Sequence, residues 1–284
     1  MLSRRPRLRR SRTDWRATPH TGLPFLDIVE EHPGSVLAFA HRGGAGHPDL
    51  EGLENTMAAF RHAAELGYDC LETDVHLSRD GVLLVFHDDI LDRVTDLTGA
   101  IAGLDLAEIR RALIGGREPV PTFAEMLEEF PRARFNIDIK APAAAVPLAD
   151  AIIRHDAEHR ICVGSFSPRV LRAFRRATGG RVATAAHPVE VALWRFAPPR
   201  AARMLEGGDF GVFQVPSHRG PVEIVTPDFV RRAHAAGKHV HVWTVDEAEE
   251  IERLLDLGVD GIFTDRTDTL RSVLEARGQW REAS

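Results

Sequence analysis

Glu72 and Asp74 stand two residues apart in the apolar run 70–75, and Asp138 and Lys140 stand two residues apart at the end of another, 135–139. Alternate residues of an extended strand share a face, so each pair projects together. Three carboxylates then face one point, and burying them without a counter-charge costs several kcal/mol per ion. Oxygen-only donors suit a hard divalent ion, Mg²⁺ or Ca²⁺, better than zinc. His41 and Arg42 leave the apolar run 36–40, and His87 closes the run 82–87. Histidine titrates near neutral pH, which fits His41 and His87 to act as acid and base. Arg42 and Lys140 are cations suited to the non-bridging oxygens of a phosphate.

These residues need elements that bring them together. Eight β-rich runs, at 36–40, 70–75, 135–139, 161–166, 182–186, 212–215, 239–245 and 261–264, alternate with helical periodicity, as at 56–66, 121–129, 168–177, 227–236 and 247–257. That alternation predicts βα units and a mainly parallel sheet. Asp80-Gly81 breaks the rhythm with a hairpin signal, so 82–87 runs antiparallel to 70–77 and returns His87 to the level of Glu72 and Thr73. Residues 91–121 form a small helical excursion. The expected fold is a TIM (β/α)₈ barrel with an extra hairpin strand after strand 2 and a small helical insertion. An open doubly wound sheet is the rival, but it would scatter His41, Asp138 and Trp243, which a barrel gathers at one mouth.

The chain has 284 residues, 44% hydrophobic and 27% charged, with a net charge of −6 that gives no global pull toward nucleic acid or anionic lipid. Residues 1–20 read as a basic, disordered tail and 21–284 as a single domain. No apolar stretch is long enough to span a bilayer, and no secretory h-region follows the basic start, so the expected location is cytoplasmic, without membrane insertion. Cys70 and Cys162 open apolar runs and read as small buried hydrophobes.

The motifs, taken in order, resemble the glycerophosphodiester phosphodiesterase family over about residues 36–270: His41-Arg42-Gly43, Glu54-Asn55-Thr56, Glu72-x-Asp74-Val75, the Asp-Gly hairpin into Phe86-His87-Asp88, and Asp138-x-Lys140. Ser-Phe-Ser-Pro at 165–168, Val-Trp-Thr-Val at 242–245 and Gly-Val-Asp-Gly-Ile-Phe-Thr-Asp at 258–265 continue it. The resemblance implies a TIM barrel, one divalent cation, and hydrolysis of a glycerophosphodiester to glycerol 3-phosphate and an alcohol. Residue by residue, His41 and His87 match the family's catalytic pair, and Glu72, Asp74 and Asp138 its metal ligands. Leu53 stands where the family often has Pro, and Asp138 where it often has Glu. The shorter Asp138 brings the ion closer to the third strand or leaves it an extra water.

Glu54 and Asn55 are expected to come back over the mouth, with Glu54 orienting Arg42 or a metal-bound water. Trp243 is a candidate wall for a glycerol or choline moiety. Asp265 reads as a helix cap for 267–274, Gln214 as a weak candidate, and His47, His62, His76, His239 and His241 as histidines without partners. Lysophospholipase D chemistry on lipid diesters is the alternative activity; it calls for an exposed apolar rim, and the sequence offers no strong one. A non-catalytic phosphate-binding barrel is a further alternative.

Overall fold

The computed structural model describes residues 16–28, 34–205 and 210–281. The strands of its main sheet are β1 (Leu37–Ala40), β2 (Cys70–Leu77), β3 (Leu83–Val85), β4 (Arg134–Ile139), β5 (Ile161–Gly164), β6 (Ala183–Thr184), β7 (Val212–Val215), β8 (His239–Val242) and β9 (Gly261–Thr264). All but β3 run parallel, in the order β6-β5-β4-β2-β1-β9-β8-β7. The two ends meet through a parallel bridge between Ala185 and Val212, and Ala186 N–H donates to the Val212 carbonyl at 2.9 Å. The sheet closes into a (β/α)₈ barrel, which rules out the open sheet.

Several strands stop short of the apolar runs that forecast them. Residues 165–166 and 243–245 leave the ladder and curve into the mouth. The hairpin register follows the turn as expected: Val75 pairs with Val85 and His76 with Leu84. Phe86 N–H then donates to the Asp74 carbonyl at 3.0 Å, which delivers His87 to the level of Thr73.

Helices start where the sequence can cap them. Thr56, Ser167 and Thr226 accept from backbone amides of α2 (Met57–Glu65), α3 (Pro168–Thr178) and α4 (Pro227–His234), and Pro takes the first position in the last two. The expected helical excursion at 91–121 is mostly irregular. Only Leu106–Ile109 is α-helical, beside a two-residue ladder of Leu113–Ile114 with Glu118–Pro119. Gly99, Gly115 and Gly116 all have positive φ and break any helix there. Leu91, Ile101, Ile109 and Val120 instead bury themselves against Leu84 and Phe86 of the hairpin.

Outward side chains such as Leu71, Ile137 and Val163 pack under the helices. Inward ones, including Phe39, Cys70, Cys162, Val212 and Phe263, fill the barrel, with Phe39 stacked on Phe263 at 4.2 Å. The helical turn α1 (Pro24–Asp27) plugs the amino-terminal end by adding Phe25 and Leu26 to that cluster. Of the basic segment 1–20, residues 1–15 lie outside the described residues. Residues 16–20 run against the same end rather than free of it, where His239 Nε2–H donates to the Pro19 carbonyl at 2.9 Å. This apolar, stoppered floor leaves the carboxyl ends of the strands as the polar end.

Candidate active site

The chain leaves β1 through a sharp reversal. Arg42 sits at φ 49° and Asn55, which closes the loop, at φ 57°, both in the left-handed region that non-glycine residues seldom occupy. Asn55 holds the reversal: its N–H donates to the Arg42 carbonyl at 2.9 Å, its side-chain amide donates to Asp74 at 3.0 Å, and its carbonyl oxygen accepts from Thr73 at 2.7 Å. Gly43 and Gly44 also take positive φ, but what approaches them is protein. A Cβ on Gly43 would lie 2.6 Å from Ala59, and one on Gly44 2.4 Å from Thr267.

The three carboxylates line one cavity with both histidines, Arg42 and Lys140. Asp74 and Asp138 are register partners on β2 and β4, and Lys140 Nζ bridges them at 3.0 and 2.7 Å. Lys140 is thus tied to carboxylates rather than standing free for a phosphate. Arg42 Nε lies 3.3 Å from Asp74, and Arg42 N–H donates to Glu72 at 2.9 Å. Burial alone would raise Asp74, but Lys140 and Arg42 hold its carboxyl below the usual range. Burial pushes Glu72 up to about 7, against the pull of the His41 charge, and burial raises Asp138 as well.

Each histidine is clamped through Nδ1. His41 Nδ1–H donates to Asp265 at 2.8 Å, and its Nε2 lies 3.8 Å from Glu72. Burial would lower its pKa, but Glu72 and Asp265 together raise it to about 8. His87 Nδ1–H donates to Asp88 at 2.5 Å, and His76 Nε2–H donates to the His87 carbonyl at 2.9 Å. A row of alternating charges joins the two sides of this half. Arg93 bonds both Asp88, at 2.6 Å, and Glu54, at 2.6 and 2.8 Å; Glu54 in turn accepts from Arg42 at 3.1 Å.

Asp265, Asp88, Arg93 and His76 escaped the sequence reading. Asp265 is the plainest correction: it does not cap the last helix, whose first turn has no side-chain cap, but reaches a histidine 224 positions away. Local spacing cannot reveal such a partner. Asp88 did carry a signal, since it directly follows His87.

The cavity, about 710 Å³, changes character across its width. Opposite the charged groups stand Phe166, Val191, Phe196, Val222 and Trp243. Trp243 meets Phe166 edge to face at 6.0 Å. Phe166 and Phe196 are 62% and 64% exposed, so the apolar rim that the sequence did not reveal exists. Gln214 lies deeper and donates to Asn136 across the barrel at 2.6 Å.

The model of the glycerophosphoryl diester phosphodiesterase family matches residues 41–269. A probable glycerophosphodiester phosphodiesterase 2 from Mycobacterium tuberculosis is 41% identical over 262 residues, covering 91% of this chain and 97% of that one. A human lysophospholipase D is 27% identical, covering 83% and 85%. The solved structure of an Oleispira antarctica phosphodiesterase in complex with the product sn-glycerol-3-phosphate superposes with a TM-score of 0.69 at 25% identity, covering 84% of this chain and 96% of that one. A closed barrel with acid, base and cation side chains at one mouth, matched by that family's model along most of its length, has one reading: the chain is an enzyme that belongs to the glycerophosphoryl diester phosphodiesterase family.

Proposed function

We propose that the chain hydrolyses glycerophosphodiesters to glycerol 3-phosphate and an alcohol, with His41 and His87 moving the protons. The observation that carries this reading is the pair of imidazoles, each held at Nδ1 by a carboxylate, on one cavity with three further carboxylates and two cations. Glu72, Asp74 and Asp138 are the groups that would hold a divalent ion. The chemistry of these donors fits one, because burial drives Glu72 and Asp138 toward their protonated forms even with Lys140 and Arg42 beside them, and their oxygens, which do not all lie within 4.8 Å of one another, would draw together around it. Mg²⁺ or Ca²⁺ bound there would polarise the phosphoryl oxygens and offset developing negative charge.

The two histidines divide the proton work. With Nδ1–H given to Asp88, His87 is left with Nε2 to take the proton of the attacking oxygen. His41, raised to about 8, is cationic at neutral pH and gives its Nε2 proton to the leaving alcohol. Arg42 is fixed by Glu54 and by the Asn55 clamp, so its guanidinium is oriented before the phosphate arrives. A diester panel with Mg²⁺ or Ca²⁺, read by released glycerol 3-phosphate, tests the proposal. Absence of turnover across the panel would leave the non-catalytic phosphate-binding barrel. Phosphorus NMR in oxygen-18 water separates direct attack by water from a route through the glycerol 2-hydroxyl, because only the latter passes through a cyclic phosphate.

The apolar rim favours a second reading, lysophospholipase D-type cleavage at the same centre. A diester whose alcohol carries an acyl chain could lay that chain against Phe166, Phe196 and Val222. Turnover restricted to micellar substrates would establish it over the first.

A further inference from the structure

Outside the cavity, the loop that carries His41 and Arg42 brings together side chains that the sequence left without partners. Residues 48–50 form a single 3₁₀ turn that places Asp49 beside His47, and His62 reaches the pair from the last turn of α2. The imidazoles of His47 and His62 lie 4.4 Å apart, tilted by 54°. One ligand atom from each of His47, Asp49 and His62 falls within 4.8 Å of the other two, and among the described residues no other trio of His, Cys, Asp or Glu does so. None of the three lines the active-site cavity.

Two features single this trio out from a chance meeting of surface groups. His62 Nδ1 is buried and has no hydrogen-bond partner among the described residues, although a buried polar nitrogen left unmatched costs about 1–3 kcal/mol. His47 Nδ1 accepts from Asp49 N–H at 3.2 Å, so its lone pair lies on the side where the Asp49 carboxylate stands 3.8 Å away. A cation would use the idle Nδ1 of His62, take the His47 lone pair in place of the Asp49 N–H, and face the carboxylate at once. Two imidazoles and one carboxylate form the donor set of zinc and similar transition ions, with a fourth position left to water, whereas the all-oxygen centre in the cavity suits a hard ion. Zinc bonds of about 2.0–2.1 Å put tetrahedral ligand atoms about 3.3 Å apart. Closing to that spacing asks only for small side-chain rotations, easiest at Asp49, whose side chain is 77% exposed.

We propose that His47, Asp49 and His62 form a transition-metal site of the zinc class, separate from the carboxylate centre, that ties the catalytic loop to α2. The loop is already packed tightly on its other flank, where a Cβ on Gly46 would lie 2.8 Å from Cβ of Asp265, the partner of His41. A metal at the trio would add a second tie between the loop and α2, beside the packing of Leu50 and Leu53 on Ala59.

The test titrates Zn²⁺ into the full-length, chelator-treated protein by calorimetry, with Mg²⁺ in excess to occupy the carboxylate centre. One zinc equivalent is expected, with X-ray absorption reporting two imidazole nitrogens among light-atom ligands. His62→Gln should abolish that equivalent, and Asp49→Asn, at an exposed position that cannot disturb folding, should weaken it at least about tenfold. Zinc should raise Tm in the wild type and leave His62→Gln unmoved. Absence of zinc binding, binding unaffected by both substitutions, or binding lost instead in Glu72→Gln would overturn the proposal; the last would show that zinc enters the carboxylate centre.

Discussion

Across the mouth of the barrel, the half built on β1, β2 and β4 is held by charged hydrogen bonds, while the half built on β5 to β8 is walled mostly by apolar side chains, with Arg195 and Arg219 among them. In the first, Asp74 alone meets Lys140, Arg42 and Asn55, and both histidines are fixed at Nδ1. In the second, Phe166 and Trp243 touch only edge to face, and Phe196 stands mostly in solvent. Removing one member of a buried charged network strands its partners and costs several kcal/mol. Trimming a half-exposed ring forfeits only part of its apolar area. The charged half should therefore fail abruptly, and the apolar half should yield by degrees.

The largest expected effect tests the proposed proton-transfer groups. His87→Ala should lower kcat by about 10²–10⁴-fold, the usual range for a general acid or base. Calorimetry with Mg²⁺ or Ca²⁺ should find metal binding nearly intact, because His87 is not among the oxygen donors. A variant with normal turnover would break the division between the halves at its strongest point. Next come the carboxylates. Glu72→Gln keeps the shape but removes a charge, so metal affinity should fall by more than about tenfold, with activity partly restored by excess ion. If excess ion fails to restore the Glu72→Gln enzyme yet restores the His87→Ala enzyme, the roles are assigned the wrong way round.

The two halves also differ in how much of them the sequence discloses. Glu72, Asp74, Asp138 and His87 were legible because strand periodicity and an Asp-Gly turn are local rules, and the observed pairing of Val75 with Val85 obeys them. Barrel closure followed from requiring the ends of distant strands to share one mouth. Asp265 was not legible, since its purpose depends on β1 and β9 lying side by side, and a Thr-Asp before a helix looks locally like a cap. The apolar rim was hidden for the same reason: Phe166 follows β5, Phe196 ends a helix after β6, and Val222 lies in a two-residue antiparallel ladder after β7. Each alone is an ordinary exposed hydrophobe.

Asp265 offers a finer test within the charged half. His41 is raised to about 8 partly by Asp265, and in the proposed mechanism it is the cationic form that donates a proton. Activity should then persist below that pKa and fall as pH rises through it. Asp265→Asn removes a charge that favours imidazolium, so the alkaline limb of kcat/KM should move to lower pH, with a kcat loss smaller than that of His87→Ala. An alkaline limb that stays in place would mean that Asp265 holds the ring without tuning it.

The smallest effect belongs to the apolar half, and it depends on the substrate. Phe166→Ser and Phe196→Ser remove rings that touch no catalytic group, so kcat on a small hydrophilic diester such as glycerophosphoethanolamine should stay unchanged. An acyl-bearing diester would lose about 1 kcal/mol of apolar burial for each half-covered ring, so KM should rise roughly fivefold per substitution while kcat holds. The KM-against-kcat split matters here. Loss of kcat on both substrates would mean that the rim props up the catalytic groups and that the two halves are mechanically one. No change in KM on either would mean that lipid chains do not use this wall, and the rim would then leave lysophospholipase D chemistry without its structural support.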